Sequence, residues 1–180
     1  MASILKVDKI RVTGNDSDSI SFNNSGNITL NKTVSSGTLG SSVVFPAGHV
    51  IQTVTNTGTS NVSTTSTSAQ TVITASITPK FTTSTIHIEG FLSRFEIVYG
   101  SSNAYASHYL LDPSGNTISL GVSGNSGSSN SSPAALFGTH SPNSTSSQTY
   151  TMSISKASSG TTSTSTDGQR YTIKLTEVAQ

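Results

Sequence analysis

Cysteine is absent from this 180-residue chain, and so is tryptophan. Without cysteine there is no disulfide framework and no thiolate zinc site. Charge is scarce: Asp, Glu, Lys and Arg make up 9% of the residues, against roughly 25% in an ordinary globular domain. So little charge excludes disorder driven by self-repulsion. The net charge of +1 leaves no electrostatic footprint for nucleic acid. No run of eighteen apolar residues occurs, so no membrane insertion is expected. Met1-Ala-Ser-Ile-Leu-Lys lacks the basic-then-apolar order of a secretory signal. No stretch carries Ala, Glu, Lys and Leu at heptad spacing, which excludes a coiled coil.

What fills the chain is hydroxyl: 37 serines and 28 threonines. Thr, Val and Ile favour pleated surfaces, where a branched side chain packs well. Ser, Gly and Asn favour turns. The class is therefore all-β. With hydrophobic residues at 32%, the core is thin for this length. A thin core points to association as a further source of buried surface.

Composition divides the chain into an N-terminal segment, residues 1–46, and a head, residues 47–180. The opening Ile4-Leu5-Lys6-Val7-Asp8-Lys9-Ile10-Arg11-Val12 concentrates several of the few charges. A short repeat follows, in which Ile20-Ser21-Phe22-Asn23 is echoed by Ile28-Thr29-Leu30-Asn31. Each copy alternates apolar and polar residues, as a strand with one buried face does. Neither can bury that face alone. The pair fits a hairpin lying on the head, or a fibre shaft in which three chains stack the same strands. The run 35–42 is rich in Gly and Ser and reads as a linker.

In the head, alternation predicts strands near 50–55, 70–77, 85–99, 104–111, 117–120, 134–137, 149–156 and 170–178. Eight strands separated by turn signals suggest an antiparallel sandwich of jelly-roll type. Tyr150, Met152 and Ile154 share one face of their strand, and Tyr171, Ile173 and Leu175 share one face of theirs. These six are expected in the core or at a threefold contact. On the long strand, Ile86, Ile88, Gly90 and Leu92 take one side and Phe91, Phe95 and Ile97 the other. One of those faces is then free to meet another chain. Gly90 is the expected bulge, and 121–132 reads as a long surface loop.

No catalytic, metal or cofactor site is expected. His49, His87, His108 and His140 stand far apart with no ligand spacing, and surface or half-buried positions are expected for them. Serine is too abundant for a Ser–His–Asp match to carry information, and no Gly-x-Ser-x-Gly elbow occurs. Glu89 and Glu96 are seven apart, which places them on opposite faces of one strand, unsuited to paired acid–base work. Glu89 is expected in an ion pair with Arg94 or Arg170. Tyr99, Tyr105 and Tyr109 cluster around a Gly-Ser-Ser-Asn tip. They either pack at strand ends or, through Tyr99 and Tyr105, touch a partner.

Four segments carry a resemblance. The opening Met1-Ala-Ser-Ile-Leu-Lys-Val-Asp-Lys-Ile resembles the start of small fibre and tail-fibre proteins of marine bacteriophages, including those that infect cyanobacteria. Phe45-Pro-Ala-Gly-His-Val-Ile-Gln52 is similar to the link before their C-terminal β-domain. Tyr171-Thr-Ile-Lys-Leu-Thr-Glu-Val-Ala179 is similar to that domain's last strand, and Thr78-Pro-Lys80 with Ile86-His-Ile88 also fits. The resemblance implies a non-enzymatic virion protein, made in the host cytoplasm, homotrimeric, with a jelly-roll head like that of tumour necrosis factor. It implies anchoring to other virion proteins by the N-terminal segment, with Ile4, Leu5, Val7, Ile10 and Val12 as anchor positions. The head would then face a host-surface glycan or protein. The chain is short for a tail fibre, which keeps a capsid decoration or head-fibre role open beside host attachment.

Overall fold

The structure is a computed structural model that describes residues 9–11, 18–22, 28–30, 45–98, 104–125, 130–156, 161–163 and 170–180. The chain forms two units, Met1–Val43 and Val44–Gln180. In the first, β1 (Lys9–Arg11), β2 (Asp18–Phe22) and β3 (Ile28–Leu30) form an antiparallel sheet in the order β1-β2-β3. The two copies of the repeat pair with each other, Ile20 opposite Leu30 and Phe22 opposite Ile28. Ile10 lies in β1 opposite Ile20. The other anchor positions (Ile4, Leu5, Val7 and Val12), the 35–42 run and Tyr99 lie outside the described residues.

The second unit contains ten strands among its described residues: β4 (Val50–Gly58), β5 (Ser63–Thr64), β6 (Gln70–Ile77), β7 (Thr85–Val98), β8 (Ala104–Leu111), β9 (Thr117–Asn125), β10 (Asn130–His140), β11 (Gln148–Lys156), β12 (Thr161–Ser163) and β13 (Tyr171–Val178). One sheet runs β4-β13-β7-β10, with β12 and β5 added beside the last residues of β7. The other runs β6-β11-β8-β9. Every pairing is antiparallel. Apart from the β8–β9 hairpin, consecutive long strands lie in opposite sheets, in the order of a jelly roll. All eight predicted strands are present. The two short additions, β5 and β12, are hydroxyl-rich and carry no apolar alternation to announce them.

The core lies between the sheets. Ile86, Ile88, Leu92, Phe95 and Ile97 of β7 meet Leu110, Tyr150, Met152 and Ile154, with Ile173 and Leu175 alongside, all buried. Each such side chain contributes about 1.5–3 kcal/mol by leaving water. The six residues expected in the core or at a threefold contact are all buried within the single chain.

Three expectations are corrected. Gly90 is not a bulge: it pairs in register with Leu136 on one side and Ile173 on the other. Its missing Cβ makes room for Leu110 and the Met152 sulfur of the opposite sheet. The irregularity lies at Ser93–Arg94, where the β10 register steps from Ser132–Phe95 to Ala134–Leu92. Two residues of β7 there face one of β10, and that one is Pro133, which has no N–H to offer the ladder.

The extra residue inverts the alternation. Before it, Ile86, Ile88 and Leu92 point inward; after it, Phe95 and Ile97 do, while Phe91 points out. Glu89 and Glu96 therefore share the outer face instead of opposing one another. The expected loop at 121–132 is also largely strand, since β9 continues to Asn125 and β10 begins at Asn130. Its glycines serve the ladder: a Cβ at Gly121 would strike the His108 ring, and one at Gly124 would strike the Tyr105 ring.

Candidate functional site

The chain enters and leaves the head side by side. Gly48 N–H donates to Ala179 O at 2.8 Å, and Ala179 N–H donates to His49 O at 2.9 Å. Gly48 has a φ of +84°, a left-handed conformation that suits glycine. Phe45 stacks on His49 with centroids 4.8 Å apart and meets Phe81 edge-on at 6.0 Å. Beneath this junction lies Glu177, at 0% exposure. Its Oε1 accepts from Ser84 Oγ at 2.6 Å, Lys80 N at 2.7 Å and Phe81 N at 3.4 Å. Its Oε2 accepts from Gln52 Nε2 at 2.6 Å. The four donors come from two separate segments and tie the 78–84 turn and β4 to the end of β13. Sequence reasoning gave Glu177 no role, because its partners lie 93 to 125 residues away.

The remaining polar groups are arranged for structure. The Tyr150 hydroxyl lies 2.9 Å from His140 Nδ1. Burial, and then the nearby Asp112 charge, push the Tyr150 phenol well above its ordinary range, so it keeps its proton, and the His140 tautomer sets which of the two groups donates. Asp112 closes the 112–116 turn. Its Oδ1 accepts from Ser114 N and Asn116 N, each at 2.8 Å, and its Oδ2 accepts from Asn116 Nδ2 at 3.0 Å. Burial pushes the Asp112 carboxyl up, but these bonds outweigh it and the net shift is downward. His108 is buried rather than superficial, with its ring edge-on to Phe95 at 5.1 Å. Its Nδ1 finds no hydrogen-bond partner among the described residues. Burial lowers its pKa.

Glu89 pairs with Lys174 at 3.3 Å, not with Arg94 or Arg170; the bulge carries Arg94 instead to Glu96 at 3.5 Å. Both pairs lie on the outer face of the β4-β13-β7-β10 sheet. They contribute about 0–1 kcal/mol each. Two shallow hollows flank them. One of about 310 Å³ is lined by His87, Glu89, Phe137 and Thr139. The other, of about 210 Å³, is lined by Ser93, Arg94, Ser131, Ser132 and Pro133. Among the described residues no group of three His, Asp or Glu could hold a metal ion.

Of the tyrosine cluster, Tyr105 is exposed and lies over Gly124, while Tyr109 is half-buried with its hydroxyl 3.0 Å from Ser155 Oγ. Among the described residues no nucleophile, base and orienting group meet around one point. What it offers is surface. No protein-family model matches the chain, and no curated protein is significantly similar to it.

Proposed function

We propose that the chain is a non-enzymatic structural protein of a bacteriophage particle, a homotrimeric fibre. In this reading its N-terminal segment holds the virion and its jelly-roll head meets the host surface. The observation that supports it best is the pairing of β4 with β13. The two segments that resemble phage fibre heads, 45–52 and 171–179, are neighbours in the fold, with Gln52 opposite Glu177 and Val50 opposite Val178. They close the end of the head at which the chain arrives. The opposite end, where β4 stops and β13 starts, is left for contact with a glycan or protein of the host.

Low charge suits such a role in saline media, since little of the contact energy is then screened. Weak individual sites suffice when three heads are presented together, because the second contact is effectively intramolecular. The deciding experiment joins two measurements. Light scattering on the purified chain should give the mass of three chains. A variant lacking residues 1–46 should fold but fail to join particles assembled in the host. A monomeric mass, or normal incorporation of the truncated chain, overturns the reading. Incorporation of the full chain on the shell rather than the tail would assign it to capsid decoration.

A further inference from the structure

The exposed large apolar side chains are unevenly placed. Among the described residues Phe91, Val98 and Phe137 lie on β7 and β10, and Tyr105, Leu120 and Val122 on β8 and β9; of these exposed side chains only Val50 stands elsewhere. Strands β9 and β10 are the neighbouring edges of the two sheets, so close that a Cβ on Gly138 would strike Ile118. The opposite side of the sandwich, at β4 and β6, presents Thr53, Thr55, Thr57, Gln70, Thr71 and Thr74. Side-chain amides bridge that seam, Gln52 Nε2 to Thr78 O and Asn56 Nδ2 to Thr74 O, each at 2.7 Å. One side of the head is thus hydroxylic and sealed. The other is a wedge with apolar residues on both flanks.

The front flank is continuous. Ala135 stands opposite Phe91, and Phe137 opposite Glu89, so the two phenylalanines are diagonal neighbours with the alanine between them. Phe137 is 67% exposed and Phe91 46%. At those exposures the two rings offer roughly 200 Å². Ala135 and Pro133 extend the strip toward the ~300–600 Å² of the largest patch on a typical monomer. The back flank is built alike: Tyr109 faces Leu120, Ser107 faces Val122 and Tyr105 faces Gly124. Leu120 is 54% exposed and Val122 59%.

Charge indicates the occupant. On the front flank Glu89 is matched by Lys174 and Glu96 by Arg94. Strands β8 and β9 contain no Asp, Glu, Lys or Arg. A strongly acidic or basic partner would find nothing to complement, whereas a second copy of this neutral surface meets no like-charge repulsion.

Symmetry indicates the arrangement. A twofold contact joins a patch to itself and would cover one flank while leaving the other in water. A head-to-tail contact, front of one copy on back of the next, covers both, and closes into a ring of three when each copy is turned by a third of a circle from the last. We propose that the chain associates through this wedge, the β7–β10 face of each copy seated on the β8–β9 face of the next. The proposal rests on the oligomeric fibre reading above and names the surfaces that build it.

Two surface variants of the full chain, Phe137→Glu and Val122→Glu, test it, with Thr55→Glu on the hydroxylic side as control. Circular dichroism and thermal melts establish that each is folded; Ala135→Lys and Leu120→Lys replace any that is not. The expected masses are three chains for the wild type and the control, and one chain for each wedge variant. Mixed at high concentration, the two wedge variants should form a 1:1 dimer, because each retains the flank the other has lost. Wild-type trimers that persist in either wedge variant overturn this proposal and leave the fibre reading standing. Wedge variants that are monomeric alone and remain so when mixed overturn the head-to-tail arrangement. A monomeric wild type overturns both.

Discussion

The Ser84 hydroxyl donates to Glu177 Oε1 across 2.6 Å, and both residues have no exposed surface. A carboxylate so enclosed is tolerable only because every lobe of charge it presents meets a donor. Glu177→Ala would leave the donors of Ser84, Lys80, Phe81 and Gln52 facing a void, at a cost of about 3–5 kcal/mol. Glu177→Gln keeps one acceptor and opposes an amide N–H₂ to Gln52, at about 1–3 kcal/mol. Urea midpoints should fall in that order. Two variants within ~0.5 kcal/mol of wild type would mean that the clamp contributes no net stability.

Tyr171 is held at both ends. Its ring covers Gly58, where any Cβ would collide with it, and its hydroxyl donates to Ser60 O at 2.9 Å. Tyr171→Ser should cost about 2–4 kcal/mol through the cavity it leaves. Gly58→Val should cost a comparable amount by expelling the ring, and the double variant should cost less than the sum. Chemical denaturation of the three variants checks this; strict additivity would mean that the residues do not share the site.

His108 sets an acid limit. Its folded pKa lies below the ordinary 6.5, so beneath that pH the unfolded chain binds more protons than the folded one. Stability should be full above about pH 6.5 and fall as pH drops from there toward the folded value. Asp112 acts in the same direction but lower, since its folded pKa lies below 3.8. Denaturation midpoints at pH 7.5, 6.5 and 5.5 should decline for the wild type and stay nearly level for His108→Phe. An equal decline in both would assign the acid sensitivity to other groups.

The extra residue in β7 carries a sharp test. Ser93→Ala should change stability by less than ~0.5 kcal/mol, because the serine Oγ is buried without a partner among the described residues. Deleting Ser93 should leave the chain folded, since Arg94 alone would then face Pro133 and simple alternation from Leu92 would keep Phe95 and Ile97 inward and Glu96 outward. Soluble yield and circular dichroism separate the two outcomes. An unfolded deletion variant would show that the bend and twist of the bulge are themselves required.

Much of the fold was legible because alternation is a local signal. Tyr171-Ile173-Leu175 and Tyr150-Met152-Ile154 announce their strands and buried faces without knowledge of neighbours. The inversion at Ser93–Arg94 was not legible, since Phe91, Phe95 and Ile97 read as one apolar face until the pairing with Pro133 is known. Gly121 and Gly124 read as loop residues; their place in β9 depends on rings from β8 that lie over them. Glu177 was hidden for the same reason, its donors being remote in sequence. The exposed apolar wedge was equally unreadable, because edge and flank are properties of the strand order, not of any one strand.

The side-by-side arrival and departure of the chain has a mechanical consequence. Tension reaching the head through residue 44 and resisted at its far end runs along the axis of β4. The hydrogen bonds from β4 to β13 lie across that axis. They are therefore strained together in shear instead of opening one after another like a zipper. Strand β4, paired along its length among the described residues with β13 alone, is in this geometry a grip that many bonds must release at once.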